Sequence, residues 1–395
     1  MKLSKSKWKV AKIGDATAEM KAGFSSGKFE LNNGEIAHLR SMNITDECKF
    51  TWEGAKYITS AVFKANDSLK LSKGDVLFNN TNSTELVGKS CYISHDMECG
   101  FSNHMTRIRV NDAILNSFYL SIIFYGYFKN RVFESYCQKW VGQSGINRNI
   151  LSNIEIPLPP LEEQKQIAAL FQSIETAIEQ VEGQEKNLLN LKNKLLCELC
   201  GETQQFGKVL KQSDFEKVKF EKIAICISER IEPQKTELTT YVGLEHLDPD
   251  NLVIARTGVP EDVIGTKLKI YKGDIIFGKR RAYQRKVAVS HFDGIASAHS
   301  MILRANEKHI EREFLPFFMQ SDVFMNRAVQ ISEGSLSPTI KWKTLAAQEF
   351  SLPKKEKQKE LTAVFKQFDV TRGQLKQQKT TLQNLKQKLL SEILG

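Results

Sequence analysis

The densest run of chemistry-bearing side chains is Gly278-Lys-Arg-Arg-Ala-Tyr-Gln-Arg-Lys286. Arg280, Arg281 and Arg285 supply rigid forks of N–H donors, Lys279 a point charge, Gln284 an amide and Tyr283 a ring. Such a set suits the grip of a polyanion. A solvated turn between two strands is the plainer reading of the same run. Patterns for bond-making chemistry are all incomplete. Gly88-Lys89-Ser90 resembles the end of a phosphate loop, but Ser83 stands where the upstream glycine must be. Gly27-Lys28 fails likewise, with Ala22 upstream and Phe29 downstream. Cys197-x-x-Cys200 has no second Cys or His pair at zinc spacing, so helix-end thiols are expected and no metal is assigned. There is no Gly-x-Ser-x-Gly elbow and no His-Glu-x-x-His. The Asn- or Asp-Pro-Pro-aromatic motif of an amino-methyltransferase is missing too, because Pro157-Leu-Pro-Pro160 lacks the polar first residue. The expectation is a binding protein with no catalytic residue of its own.

The elements that position these residues occur twice. Lys73-Gly74-Asp75-Val76-Leu77-Phe78 returns as Lys272-Gly273-Asp274-Ile275-Ile276-Phe277, a shift of 199. Leu158-Pro159 returns as Leu352-Pro353, and Leu191-Lys192-x-Lys194-Leu195-Leu196 as Leu385-Lys386-x-Lys388-Leu389-Leu390, both at a shift of 194. Residues 158–199 and 352–393 share 17 identities in 42 positions, where chance gives about three. A period near half the chain means that a whole unit was duplicated.

Each unit reads as a turn-rich mixed part followed by a long helix. β-like runs at Asp75–Phe78, Thr106–Val110, Ile223–Ile227 and Asp274–Phe277 alternate with Gly and Asn signals, and helical stretches are expected near 114–138 and 310–329. Ile167, Phe171, Ile174, Ile178, Val181, Leu188, Leu191 and Leu195 form a heptad-like seam. In the second copy Leu361, Phe365, Phe368, Leu375, Leu382 and Leu389 do the same. A 3.5-residue period keeps one stripe facing a partner helix. Leu-Pro-Pro-Leu-Glu-Glu-Gln164 puts proline at a helix start, with Glu162 and Glu163 near the positive end of the dipole. Gly183 and Gly373 lie inside the helices and make a kink conceivable. The two one-sided helices are expected to pair antiparallel, with the two mixed parts at opposite ends related by a pseudo-twofold axis. The alternative is that each helix packs on its own mixed part. A helix of ~35–40 residues spans ~50–60 Å.

Composition fits this plan and excludes others. The 395 residues are 41% hydrophobic, 26% charged and 9% aromatic, an ordinary globular mixture of two or three domains. The net charge of +10 suits a polyanionic partner, or simply a basic surface. No apolar run approaches 18 residues, and the basic start, Met1 to Lys9, lacks the apolar region of a signal peptide. Seven irregularly spaced cysteines fit reduced thiols, so a cytoplasmic location without membrane contact is expected.

Duplicated mixed units, each followed by a Leu-Pro-(Pro)-Leu-x-Glu-Gln-type helix ending in Leu-Lys-x-Lys-Leu-Leu, resemble the specificity subunit of type I restriction-modification enzymes. The resemblance covers essentially the full chain, and Ile156 to Ile167 and the Lys-Gly-Asp repeat are its most specific parts. The second helix departs from the pattern, with Lys354 and Lys355 where the first copy has Pro160 and Leu161. The resemblance implies an α+β fold: two tandem α/β target recognition domains, 1–157 and 204–351, joined by two antiparallel coiled-coil spacer helices, 158–203 and 352–395. It implies that each domain reads one half of a split site in double-stranded DNA. It also implies that the helices set the spacing and dock two modification (methyltransferase) subunits, with restriction and motor subunits completing the complex. No cofactor is expected in this chain; S-adenosylmethionine belongs to the modification subunit. DNA repeats every ~34–36 Å, so half-site spacing becomes a property of helix length.

Candidate DNA contacts follow from the repeat. Asn79, Asn80 and Asn82 occupy the place of Lys279, Arg280, Arg281, Tyr283, Gln284 and Arg285. Arg40 and Asn43 are set against Glu245 and His246, Ser102 and His104 against Ala298-His-Ser300, and Gln143, Ser144, Asn147 and Arg148 against Ser335 and Ser337. Polar side chains on loops read bases, while Lys and Arg on phosphate add sequence-independent affinity. Two other functions fit the same residues: a self-contained methyltransferase or nuclease with unrecognised motifs, or a coiled-coil scaffold with two protein-binding heads.

Overall fold

The computed structural model describes residues 5–27, 30–200, 210 and 212–395. Residues 1–4, Lys28 and the expected 203/204 boundary lie outside them. The chain divides into two compact units, Met1–Val181 with Gln378–Gly395, and Glu182–Gln377.

Unit 1 contains β1 (Lys9–Lys12), β2 (Thr17–Ala22), β3 (Ile36–Leu39), β4 (Lys56–Ile58), α1 (Ser60–Lys64), β5 (Val76–Asn79), β6 (Thr81–Asn82), β7 (Ser90–Tyr92), β8 (Cys99–Phe101), β9 (Met105–Val110), α2 (Ser117–Lys129), β10 (Gln138–Trp140), β11 (Gln143–Gly145), α3 (Arg148–Asn153), β12 (Glu155–Leu158) and the first part of α4 (Leu161–Cys200). Its main sheet is antiparallel with the order β2-β9-β5-β7. A second sheet, β4-β3-β8, pairs β3 parallel to β8, with Leu39 opposite Phe101. Every position of β5 is buried, which is why Val76 to Phe78 reads as an unbroken apolar run; Asn79 closes the strand. The Asn116 side chain accepts the Tyr119 N–H at 2.9 Å and starts α2. That helix stops at Lys129, short of the expected 138, because the chain turns left-handed at Arg131 (φ 57°).

Unit 2 contains the rest of α4, then β13 (Phe215–Lys219), α5 (Phe220–Ile223), β14 (Ala224–Ile227), β15 (Arg230–Ile231), β16 (Tyr241–Val242), β17 (Lys267–Ile270), β18 (Ile275–Gly278), β19 (Val287–Val289), β20 (Gly294–Ala296), β21 (Ser300–Ala305), α6 (Phe314–Gln320), α7 (Asp322–Gln330), α8 (Trp342–Ala346), β22 (Glu349–Pro353) and the first part of α9 (Lys355–Leu394). The order β14-β21-β18-β19 repeats the main sheet, and β16 runs parallel to β20 as β3 does to β8. The helix expected over 310–329 is two helices. Ser321 is extended and its hydroxyl accepts the Phe324 N–H at 3.2 Å, which ends one helix and caps the next.

Helices α4 and α9 pack together in both units. In unit 1 the start of α4 (Ile167, Phe171, Ile174, Ile178) shares one core with the end of α9 (Leu389, Leu390, Ile393) and with Tyr119, Ile123 and Phe124 of α2. In unit 2 the end of α4 (Leu196) meets the start of α9 (Leu361, Phe365) among Phe314, Phe317, Phe318 and Phe324. The pairing is therefore antiparallel. A buried lysine marks each contact: Lys386 Nζ donates to Glu175 at 2.8 Å, and Lys192 Nζ to Asp369 at 2.6 Å. These four residues are exchanged by the 194-residue shift, so the duplication is reciprocal. Burial pushes the Lys192 ammonium below its usual pKa, and the charge of Asp369 opposes this.

The seam needs one correction. Val181 is buried, and Leu188, Leu195, Phe368, Leu375 and Leu382 are half-buried, but Leu191 is 52% exposed. Leu196 is buried in its place, because the end of α4 faces both α9 and the phenylalanines of α6 and α7, and this rotates its apolar stripe off the strict heptad. So both of the weighed packings occur: the helices contact each other and their own mixed part. Both helices run unbroken through Gly183 and Gly373.

Candidate nucleic-acid interface

The Lys-Gly-Asp repeat builds the same turn twice. Gly74 and Gly273 sit at φ 95° and 92°, where a side chain would be strained. The Lys73 N–H donates to Asp96 and the Lys272 N–H to Asp293, both at 2.8 Å. Buried Asp75 accepts the Ser72 N–H at 2.8 Å and Arg109 Nε at 2.7 Å. Buried Asp274 accepts the Tyr271 N–H at 3.0 Å and Arg304 Nε at 2.7 Å. This turn launches β5 and β18 on the same path.

Two further turns meet at the far end of those strands. After β3, the Arg40 N–H donates to Asn43 Oδ1 at 2.9 Å; after β16, the Gly243 N–H donates to His246 Nδ1 at 3.0 Å. Asn43 therefore matches His246, as expected, but Arg40 matches Gly243 and not Glu245. After β8, the Ser102 hydroxyl accepts the His104 N–H at 3.2 Å; after β20, the Ser297 hydroxyl accepts the His299 N–H at 3.3 Å. The equivalent triplet is Ser297-Ala-His299, one residue before the expected Ala298-His-Ser300.

In unit 1, Arg40, Ser102 and His104 line a cavity of about 310 Å³ with Ser25 and Ser26. Arg40 is paired with Glu30. Asn80, Asn147 and Arg148 line a second cavity, of about 600 Å³, with Lys21 and Trp140. The structure thus brings six of the expected residues into two adjoining hollows. Asn82 and Gln143 belong to a small sheet, β10-β11-β6, and Gln143 is exposed. Three other candidates are corrected. Asn43 is buried and its amide donates to the carbonyls of Thr51 and Glu53. Asn79 is buried, with its amide on the Leu86 carbonyl at 2.9 Å. Ser144 is buried against the Thr84 hydroxyl at 2.7 Å. These side chains hold the loops and offer nothing to a ligand, because turn backbone hidden from water must be hydrogen-bonded.

In unit 2 the loop after β18 turns through two left-handed arginines, Arg281 (φ 58°) and Arg285 (φ 54°). Arg280 Nη1 lies 3.0 Å from His299 Nε2, and Arg281 Nη2 donates to Ser337 Oγ at 3.3 Å. Tyr283 and Ser335 are exposed, and Gln284 is half-buried. Burial, then the positive charges of Arg280, Lys279 and Lys267, hold His299 below its usual pKa. Burial also lowers Lys279. Arg285 is the correction here: it donates to Asp250 and Asp322 at 2.8 Å and to the Gln320 carbonyl at 2.6 Å. It anchors the loop on α6 and α7. Sequence reading included His299 in its candidate loop but one residue out of register and without its contact to Arg280, and it missed the exposed Lys139-Trp140-Val141 segment. A lone aromatic in a short polar hairpin looks like any strand residue.

Elsewhere, Cys197 is half-buried with its thiol pushed up by burial, and the Cys200 side chain lies outside the described residues. Among the described residues, no group of three or more His, Cys, Asp or Glu could hold a metal ion, and no helix is long and apolar enough to cross a membrane.

Residues 5–191 and 254–384 match the type I restriction modification DNA specificity domain. The chain belongs to that family. The type I restriction enzyme MjaVIII specificity subunit of Methanocaldococcus jannaschii is 22% identical over 351 residues, which cover 83% of this chain and 80% of the relative. The crystal structure of the type I restriction-modification system S subunit from M. genitalium superposes with a TM-score of 0.62 at 13% identity, covering 98% of this chain and 96% of that one. A second solved chain, from work on complex assembly and conformational transition of the type I R-M system, gives 0.59 at 16%, covering 98% and 97%. At such identities these likenesses speak to the fold. Within this specificity family the chain serves DNA sequence specificity through two domains.

The residues that carry the family resemblance are frame residues. Gln164 is buried; its amide donates to the Ile114 and Pro159 carbonyls and its oxygen accepts the Asn116 N–H at 2.8 Å. Gln358 does the same with the Pro353 carbonyl and the Glu311 N–H. Each glutamine fastens a helix start to the loop before α2 or α6. Lys192 and Lys386, from the Leu-Lys-x-Lys-Leu-Leu ends, are the buried clamps already described.

Proposed function

We propose that this chain is the non-catalytic DNA-reading subunit of a type I restriction-modification complex, with unit 1 reading one half of a split site and unit 2 the other. Helices α4 and α9 set the spacing between halves and dock two modification subunits. Those subunits bring S-adenosylmethionine and methylate adenine, and restriction and motor subunits join to cut. The observation that carries this reading is one frame bearing two different tips. Unit 1 presents amides and a hydroxyl (Asn82, Gln143, Ser102), suited to adenine edges, while the Asn80 side chain is held by Thr106, Asn103 and Thr81 and braces the loop. Unit 2 presents Arg280 and Arg281, whose forks fit the O6 and N7 acceptors of guanine. Lys279, Arg148, Arg40, His104, His246, Asn147, Tyr283, Gln284, Ser335 and Ser337 complete the contact set, the cations on phosphate.

Methylome mapping of cells carrying the modification subunit, with and without this chain, tests the proposal. A split adenine-methylated motif that depends on the chain is the expected result. Methyl transfer by the chain alone would favour a self-contained enzyme. Absence of salt-sensitive DNA binding with the modification subunit present would favour a scaffold.

A further inference from the structure

Beside each tip loop the chain makes one more excursion, at matched places in the frame. The Ile146 N–H donates to the Asn80 carbonyl at 2.9 Å, and the Ile340 N–H to the Lys279 carbonyl at 3.1 Å. Ahead of these bonds the chain turns sharply. Unit 1 passes through Val141 and Gly142 (φ 78°), and unit 2 through Gly334 (φ 107°), Ser335 and Leu336. A Cβ added to Gly142 would meet nothing within 4 Å, and one on Gly334 would meet only its own loop, so both turns stand clear of the body. Each presents one large aliphatic side chain to solvent. Val141 is fully exposed and Leu336 is 90% exposed, and neither joins a core cluster.

A single exposed aliphatic residue is ordinary. The two do not fall at one register, since Val141 lies five residues before Ile146 and Leu336 four before Ile340, but each unit carries such a side chain in the same excursion, although the neighbouring loops have diverged from asparagines to arginines. What two readers share must serve what two half-sites share, and that is the form of the duplex and not its sequence. We propose that Val141 and Leu336 are wedges, each entering a base step of duplex DNA and unstacking it beside the half-site that its unit reads. This inference rests on the DNA-reading role proposed above. Bulk without hydrogen-bonding groups suits that task, since a wedge acts on stacking, and valine and leucine both supply it. The polar groups behind each tip fit the same placement. Gln143 and Arg148 follow the turn of unit 1, and Arg281 is hydrogen-bonded to Ser337 next to Leu336. They would reach phosphates and base edges flanking the opened step.

The test uses the full chain with its modification subunit and a duplex carrying the split motif returned by methylome mapping, with 2-aminopurine placed at successive steps of each half. The wild-type complex is expected to brighten one step in each half. Val141→Ser should abolish the signal in one half and Leu336→Ser in the other, each weakening binding about tenfold with an unchanged melting temperature. Binding without brightening by the wild type, or brightening that survives both substitutions, overturns the wedge and leaves the reading role intact. Loss of the signal when thymine at that step is replaced by uracil would mean methyl recognition and would overturn it as well. So would loss of modification-subunit binding in the serine variants without DNA. Failure of the wild-type complex to bind the duplex would overturn the reading role and the wedge together.

Discussion

At the end of β5, unit 1 continues through Asn80 into β6, which pairs with a hairpin and closes a small three-stranded sheet. At the end of β18, unit 2 continues through Lys279 into two left-handed arginines and meets the opposite loop through an isolated bridge, Arg280 to Thr339, flanked by bonds from Arg281 to Pro338 and Ser337, with no added strand. Below that level the two units share the same devices: the aspartate–arginine turn, the serine–histidine turn, the glutamine at the helix start and the clamped lysine. The difference shows where this architecture tolerates change. Buried polar groups must be paired, so frame positions admit few substitutes. Exposed tips carry no such demand, and their chemistry is free to follow a DNA sequence.

The largest expected effect attacks the shared frame. Gln164→Leu strands one buried N–H and two carbonyls, and should destabilise unit 1 by about 3 kcal/mol; Gln358→Leu, with fewer partners, should cost unit 2 about 2 kcal/mol. Urea unfolding of single-tryptophan variants that keep either Trp8 of unit 1 or Trp342 of unit 2 reads the two separately. Losses below about 0.5 kcal/mol would show that the glutamines do not dock the helices. Next come the tips. Arg280→Ala or Arg281→Ala should cost about 1–3 kcal/mol of base discrimination in one half-site only. Arg285→Ala, by contrast, should lower stability through its lost partners and leave base preference unchanged. Methylation profiling over randomised half-sites checks both, and equal loss at the two halves would end the two-reader comparison.

A smaller contrast concerns acid. His38 is buried in unit 1, and burial holds its pKa below the usual 6.5. The unfolded chain therefore takes up the proton first, and unit 1 loses stability as pH falls below 6.5. Glu19, held low by its bond to Lys21, and Glu47, where burial is outweighed by Lys129 and Tyr125, lie in the same unit. Their contribution, present above 4.5, is lost as pH falls through their depressed folded values. Unit 2 has His299 lowered too, but near the surface, where water screens it. Acid titration of single-tryptophan variants should show the Trp8 transition at higher pH than that of Trp342. Coincident midpoints would remove this distinction.

Much of this molecule was legible in its residues. The duplication, the mixed parts, the long helices and their antiparallel pairing follow from repeated motifs and from a one-sided apolar stripe that no single helix can bury alone. The unequal tips followed too, since Asn79–Thr84 and Gly278–Lys286 fall at one register of the repeat. Tertiary structure alone decided which polar residues face outward. Asn43, Asn79, Ser144 and Arg285 have the same side chains as the residues proposed to contact DNA, yet each is consumed by a nearby carbonyl, hydroxyl or carboxylate. It also decided that Leu196 and not Leu191 lies in the helix contact, and that His104 pairs in the duplication with His299. A hydrogen-bonding side chain binds whichever partner the fold places within about 3 Å, and that distance is set by strands far apart in the chain.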